Sequence, residues 1–173
     1  GSLKIVVIPD DGDNSVVLDI DPVLDNGFVS TVIFFAGQSH AVAHFTEMSG
    51  NNSRRDLVSA TTLRNAYAEG KGIHPATVLP VLIAWGGSAA DKLAQVDSNV
   101  NDTNYWYDLD NDVDGPRLTQ ALNIMSQYTS VPNKLLLWSQ GSADADASGS
   151  ASPYLSNTTR YSTASNKILT KLL

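Results

Sequence analysis

The sequence predicts an α/β fold: a parallel sheet between helices in a three-layer α/β/α arrangement, preceded by a β-hairpin. Three observations point there. Residues 31–36, 78–85 and 134–138 are short, nearly continuous apolar runs, the pattern of strands covered on both faces. Each run ends at glycine or in a loop of small residues. Between them lie segments whose apolar residues recur at helical spacing, and such alternation favours a parallel sheet with right-handed crossovers.

The elements follow in chain order. Gly1-Ser2 reads as a cloning scar. Residues 3–8 and 15–20 are β-branched runs flanking Pro9-Asp-Asp-Gly-Asp-Asn14, whose Gly and Asn accept the positive φ of a tight turn. Residues 1–30 are therefore a lead-in, and the main domain spans 31–173. Its first strand stops at Gly37. A helix is expected over 53–69, with Leu57, Ala60, Leu63 and Tyr67 on one stripe and Gly70 as its stop. The second strand closes on Gly86-Gly87. Pro116 opens a helix at a position where its missing N–H is no loss, and Leu118, Leu122, Met125 and Tyr128 form the inner face. The third strand follows, then a loop rich in Ala, Ser and Asp. Ser152-Pro153 caps a last helix that reaches Leu173 without a Gly or Pro stop, so the domain is expected to be C-terminally incomplete.

Composition narrows the function. The chain has 173 residues, 42% of them hydrophobic and 17% charged, which suits one globular domain rather than a disordered tail. Its longest apolar run, at 78–85, is broken by Pro80 and falls far short of the roughly 20 residues of a spanning helix. With 11 Lys and Arg against 18 Asp and Glu, the net charge is −7. Phosphate backbones and anionic lipid would repel such a chain, so neither nucleic acid nor membrane is an expected partner. The absence of Cys excludes disulfides, thiolate zinc sites and thiol nucleophiles.

In a parallel sheet ligands gather at the carboxyl ends of the strands. The three predicted ends carry Gly37-Gln38-Ser39-His40, Trp85-Gly86-Gly87-Ser88 and Trp138-Ser-Gln140-Gly141. A Ser on a tight strand-to-helix turn has an exposed hydroxyl, which suits a nucleophile, although Ser is also a common helix cap. A Gly lets a backbone N–H approach a ligand with no Cβ in the way. Gln140 offers a side-chain amide. One hydroxyl with converging neutral donors is the layout of an acyl-transfer site with an oxyanion hole.

These residues resemble a known family. Phe35-Ala-Gly-Gln-Ser39 is similar to the GQSN block of the SGNH-hydrolase superfamily, in the branch of sialate O-acetylesterase-like and acetylxylan-esterase-like enzymes. Gly86-Gly87-Ser88 resembles its GGT/GGS block, and Leu137-Trp-Ser-Gln-Gly-Ser-Ala-Asp144 its W-x-Q-G-E-S-D block. The resemblance spans about residues 31–172 and implies an SGNH, flavodoxin-like fold and carbohydrate O-acetylesterase activity without an obligatory cofactor. It makes Ser39 the nucleophile. The N–H of Ser39, the N–H of Gly87 or Gly86, and the Gln140 amide become oxyanion donors, each worth about 3–4 kcal/mol. Gln38, Gly86 and Trp106 are expected to bind substrate. The sequence departs from the family in having His40 for Asn and Ser142 for Glu, and it lacks the family's C-terminal Asp-x-x-His.

The remaining candidates have two readings each. Trp106, between Tyr105 and Tyr107, is either a sugar-stacking platform or an anchor in the core. Asp110, Asp112 and Asp114 before Gly115 fit the opening of a calcium loop, or else a solvated acidic loop; Ala121 stands where such a loop wants Glu. His40 lies about 100° around the helix from Ser39, and His74 precedes a strand, at the far end of the sheet. Three functions follow: an esterase acting on an acetylated carbohydrate, an inactive SGNH-like module that binds glycan or builds a larger assembly, or a calcium-stabilised adhesion or interaction domain resting on residues 110–115. A β-rich lead-in and a glycan substrate fit a secreted or virion-associated protein.

Overall fold

The computed structural model describes residues 3–7, 16–20, 29–46, 60–95, 103–149 and 159–173. The expected turn at 9–14, the helix start at 53–59 and the Ser152-Pro153 cap lie outside them. β1 (Leu3–Val7) and β2 (Val16–Ile20) pair antiparallel. The main sheet is parallel, in the order β4–β3–β8, from β3 (Thr31–Gly37), β4 (Val78–Ala84) and β8 (Asn133–Ser139). Pro80, which lacks a ladder donor, sits on an edge strand where that is tolerated.

All seven residues of the central β3 are buried, which explains its unbroken apolar run. Its alternate side chains enter two separate cores. Val32, Phe34 and Ala36 pack with Val81, Ile83, Trp106, Leu118 and Ile168. Ile33 and Phe35 pack with Val78, Ala60 and Ala68. The first core therefore involves α3 (Pro116–Met125) and α5 (Arg160–Leu172), and the second α2 (Ala60–Lys71). On the second side Leu135 and Leu137 of β8 stay partly exposed, beside a cavity of about 220 Å³ lined by Phe35, Ala41, Leu63, Leu137, Trp138 and Ser139.

A second small sheet was not expected. The chain leaves β4, turns, and forms β5 (Ala89–Asp91), which lies parallel to β6 (Tyr105–Asp108); β7 (Val113–Asp114) pairs antiparallel with β6. The predicted small-residue loop after β8 is in part a helix, α4 (Ser142–Gly149), and α1 spans Ser39–Thr46. No helix among the described residues is long and apolar enough to cross a membrane.

Candidate active site

Register brings the three strand ends level: Gly37 stands opposite Ala84 on one side and Ser139 on the other. Only glycine fits at position 37. Its φ is +125°, and a Cβ there would lie 2.0 Å from the Ser139 carbonyl oxygen. That close approach lets the Gln38 N–H donate to Ser139 O at 2.9 Å, so β3 turns into α1 hard against the end of β8.

The turn after β4 is fastened at both ends to one carbonyl. Trp85 N–H donates to Gly37 O at 3.1 Å, and Ser88 Oγ–H to the same oxygen at 3.3 Å. Ser88 Oγ accepts from the Trp106 indole at 3.0 Å, while Ser88 O accepts from Gln140 Nε2 at 2.7 Å. Asn104 Nδ2 holds Gly86 O at 3.2 Å. Between these anchors Gly86 and Gly87 are exposed. Gly87 has φ +67°, and only the Asn104 side chain approaches the space a Cβ would take. Among the described residues, neither glycine N–H meets a protein acceptor.

Ser39 is partly exposed and is the first residue of α1. The bond from Val42 N–H to Gln38 O, at 3.1 Å, puts Gln38 rather than Ser39 in the cap position. First-turn N–H groups have no partner within a helix, and among the described residues the Ser39 N–H, at the positive end of the helix dipole, meets no protein acceptor. The Ser39 hydroxyl and the unpaired N–H groups of Ser39, Gly86 and Gly87 thus lie on the turns that follow β3 and β4, the first tied to the Ser139 carbonyl and the second to that of Gly37. That set can receive a carbonyl and stabilise negative charge developing on its oxygen.

Three expected site residues turn inward instead. Gln38 is 4% exposed; its Nε2 donates to Ser142 Oγ, and its Oε1 accepts from Ala143 N–H at 3.2 Å. It fastens α1 to α4 and offers nothing to a substrate. Gln140 has its amide hydrogens engaged by Ser88 O and, at 3.4 Å, by Asp144 Oδ2. In this arrangement it clamps the β4 turn rather than donating to an oxyanion. Trp106 is fully buried, edge-on to Trp85 at 5.4 Å and to Trp138 at 5.0 Å. Its ring faces are closed to a sugar, so of its two readings the core anchor is the one that fits.

Asp144 was read only as part of a motif. It is buried, and its carboxylate accepts from Ala90 N–H at 2.9 Å and Asp91 N–H at 3.3 Å as well as from Gln140. An Asp one helical turn beyond a strand-end Gln is the signal that was available.

His40 is exposed directly after Ser39. His74 precedes β4 and accepts from Ala76 N–H at 3.1 Å through Nδ1, away from the carboxyl ends. The side chain of His44 lies outside the described ones. The acidic run meets α5: Arg160 Nη1 pairs with Asp110 at 2.8 Å, Lys167 with Asp112 at 2.8 Å and Lys171 with Asp114 at 2.6 Å. Each carboxylate takes a different cation, and among the described residues no group of three or more His, Asp or Glu is gathered as a metal ion requires. The Lys167 hydrogen bond, followed by that of the Tyr107 hydroxyl, holds Asp112 below the usual carboxylate range.

No known family model matches the chain, and no solved structure matches it significantly.

Proposed function

We propose that the chain is a serine ester hydrolase that removes acetyl groups from a carbohydrate, on a three-layer α/β/α frame of the SGNH type. The observation that carries this reading is the pair of unpaired amide donors, at Ser39 and Gly87, beside a partly exposed hydroxyl at level strand ends. In the reaction Ser39 Oγ adds to the ester carbonyl carbon while its proton passes to a base. The two N–H groups receive the oxyanion. Collapse expels the sugar oxygen, which takes that proton back from the base to leave as the free hydroxyl, and water then cleaves acetyl-Ser39 to acetate and free Ser39. The two cores on opposite faces of β3 support the layered frame.

A second reading is an inactive module of the same fold that binds glycan or builds an assembly. The inward-turned amides of Gln38 and Gln140 favour it. Acetate release from an aryl acetate and from acetylated xylan separates the two. The hydrolase reading expects Ser39→Ala to lower the rate by roughly a thousandfold or more. Equal rates in both proteins would overturn it, and glycan binding without acetate release would establish the module.

A further inference from the structure

We propose that the outer edge of β8 is an interaction surface for a second copy of this chain, which pairs antiparallel with the same edge about Leu136 and joins the two parallel sheets into one. This surface lies along the strand rather than at its end, and the proposal does not depend on the hydrolase reading. Among the described residues β8 has one strand neighbour, β3. Asn133 N–H donates to Ser30 O, and Ser139 O accepts from Gln38 N–H, so the odd-numbered residues of β8 turn their backbone groups toward β3. Backbone direction alternates along a strand, and the N–H and C=O groups of Lys134, Leu136 and Trp138 therefore point away from it. Among the described residues these groups meet no backbone partner.

This edge is complementary to itself. Pairing about Leu136 sets that residue opposite its own counterpart and Lys134 opposite Trp138, as hydrogen-bonded pairs that satisfy every outward N–H and C=O. It also sets Leu135 opposite Leu137, in the pairs whose side chains approach most closely. These two leucines are 36% and 39% exposed, on the side where Leu137 lines the cavity. Self-pairing thus withdraws from water the apolar side chains that a lone copy leaves there. Charge permits the approach: the chain carries −7, yet residues 115–143 contain no Asp or Glu, so two copies meet here without facing carboxylates. The edge is also unprotected. β4, on the opposite edge, carries Pro80, whereas β8 runs seven residues without proline, and its Lys134 ammonium turns back to Thr129 O and Val131 O.

Sedimentation of the full chain at about 10–100 μM tests this. It should show a species near twice 18.5 kDa that dissociates on dilution, as a small interface does. Leu135→Lys combined with Leu137→Lys puts like charges opposite each other across the pair and should give a monomer. Both positions are exposed, so the far-ultraviolet spectrum should stay that of the folded protein. Leu135→Lys combined with Leu137→Glu puts opposite charges together in the same register and should recover the dimer in part. Because the chain has no Cys, alignment can be checked by oxidation. A mixture of Leu135→Cys and Leu137→Cys chains should cross-link faster than either variant alone. A monomer throughout the concentration range would overturn the proposal, whatever else meets the edge. So would a dimer of the folded double-lysine variant, no recovery with opposite charges, or a mixture that cross-links no faster than its components.

Discussion

At the scale of single residues the site depends on how closely two backbones approach. Gly37→Ala would press a Cβ into the Ser139 carbonyl and force a left-handed φ, so it should lower stability by about 3 kcal/mol or more in urea titration. Gly70→Ala is the contrast: nothing stands within 4 Å of its Cβ position in α2, and it should stabilise by about 0.5–1 kcal/mol. Trp106→Phe keeps a large ring in the core but removes the donor to Ser88 Oγ. It should cost only about 1–2 kcal/mol and yet lower acetate release, by loosening the turn that carries Gly87; unchanged turnover would show that the turn is held without it. The sequence placed Ser39 and Gly87 correctly at strand ends, because strand termini can be read from apolar runs and glycines. It did not tell which way Gln38 and Gln140 would face. Their partners, Ser142, Ala143 and Ser88, lie on other elements, and Gln38 reaches more than a hundred residues along the chain for its own.

At the scale of elements, α5 is attached through charge as well as apolar packing. Arg160, Lys167 and Lys171 present a row of cations to the acidic run, which is why carboxylates that resembled a metal loop find partners within the chain. The pairs should differ in worth. Asp91 is fully buried against Arg160, whose pKa is raised chiefly by that hydrogen bond, so Arg160→Ala strands a buried charge and should destabilise by about 3–5 kcal/mol. Lys167→Ala removes an exposed, salt-screened pair and should shift the melting temperature little. Acid should loosen the same region. Burial alone would raise the pKa of Asp108, but hydrogen bonds from Asn111 and Lys92 hold it below its ordinary value, and Asp112 is lowered too. Lowered carboxylates contribute stability that is complete above the unfolded value, about 4, and is lost as pH falls through the folded values. Thermal melts should therefore show a drop below about pH 4 that Asp108→Asn diminishes; an identical drop in the variant would contradict this. The main strands were legible as apolar runs. The second sheet was not, because β5 is three residues of Ala-Ala-Asp and β7 only two, too short for any periodicity. The helix α4 escaped notice because Ser, Ala and Asp give it no apolar stripe.

At the scale of the whole molecule, the two sheets share a core through Trp106, which touches Trp85 after β4 and Trp138 in β8. Unfolding followed by near-ultraviolet signals from these rings and by far-ultraviolet signals from the backbone should coincide in one transition. Separated transitions would make the β5–β7 unit independent of the parallel sheet. The same coupling positions the chemistry, since the turn bearing Gly87 is anchored by residues of both sheets and of β8's exit. The most direct measurement is mass spectrometry of the intact protein after treatment with a fluorophosphonate, which captures an activated serine hydroxyl. A single adduct on the peptide containing Ser39, absent from Ser39→Ala, is the predicted result; an unlabelled protein, or an adduct on a serine elsewhere, would contradict it.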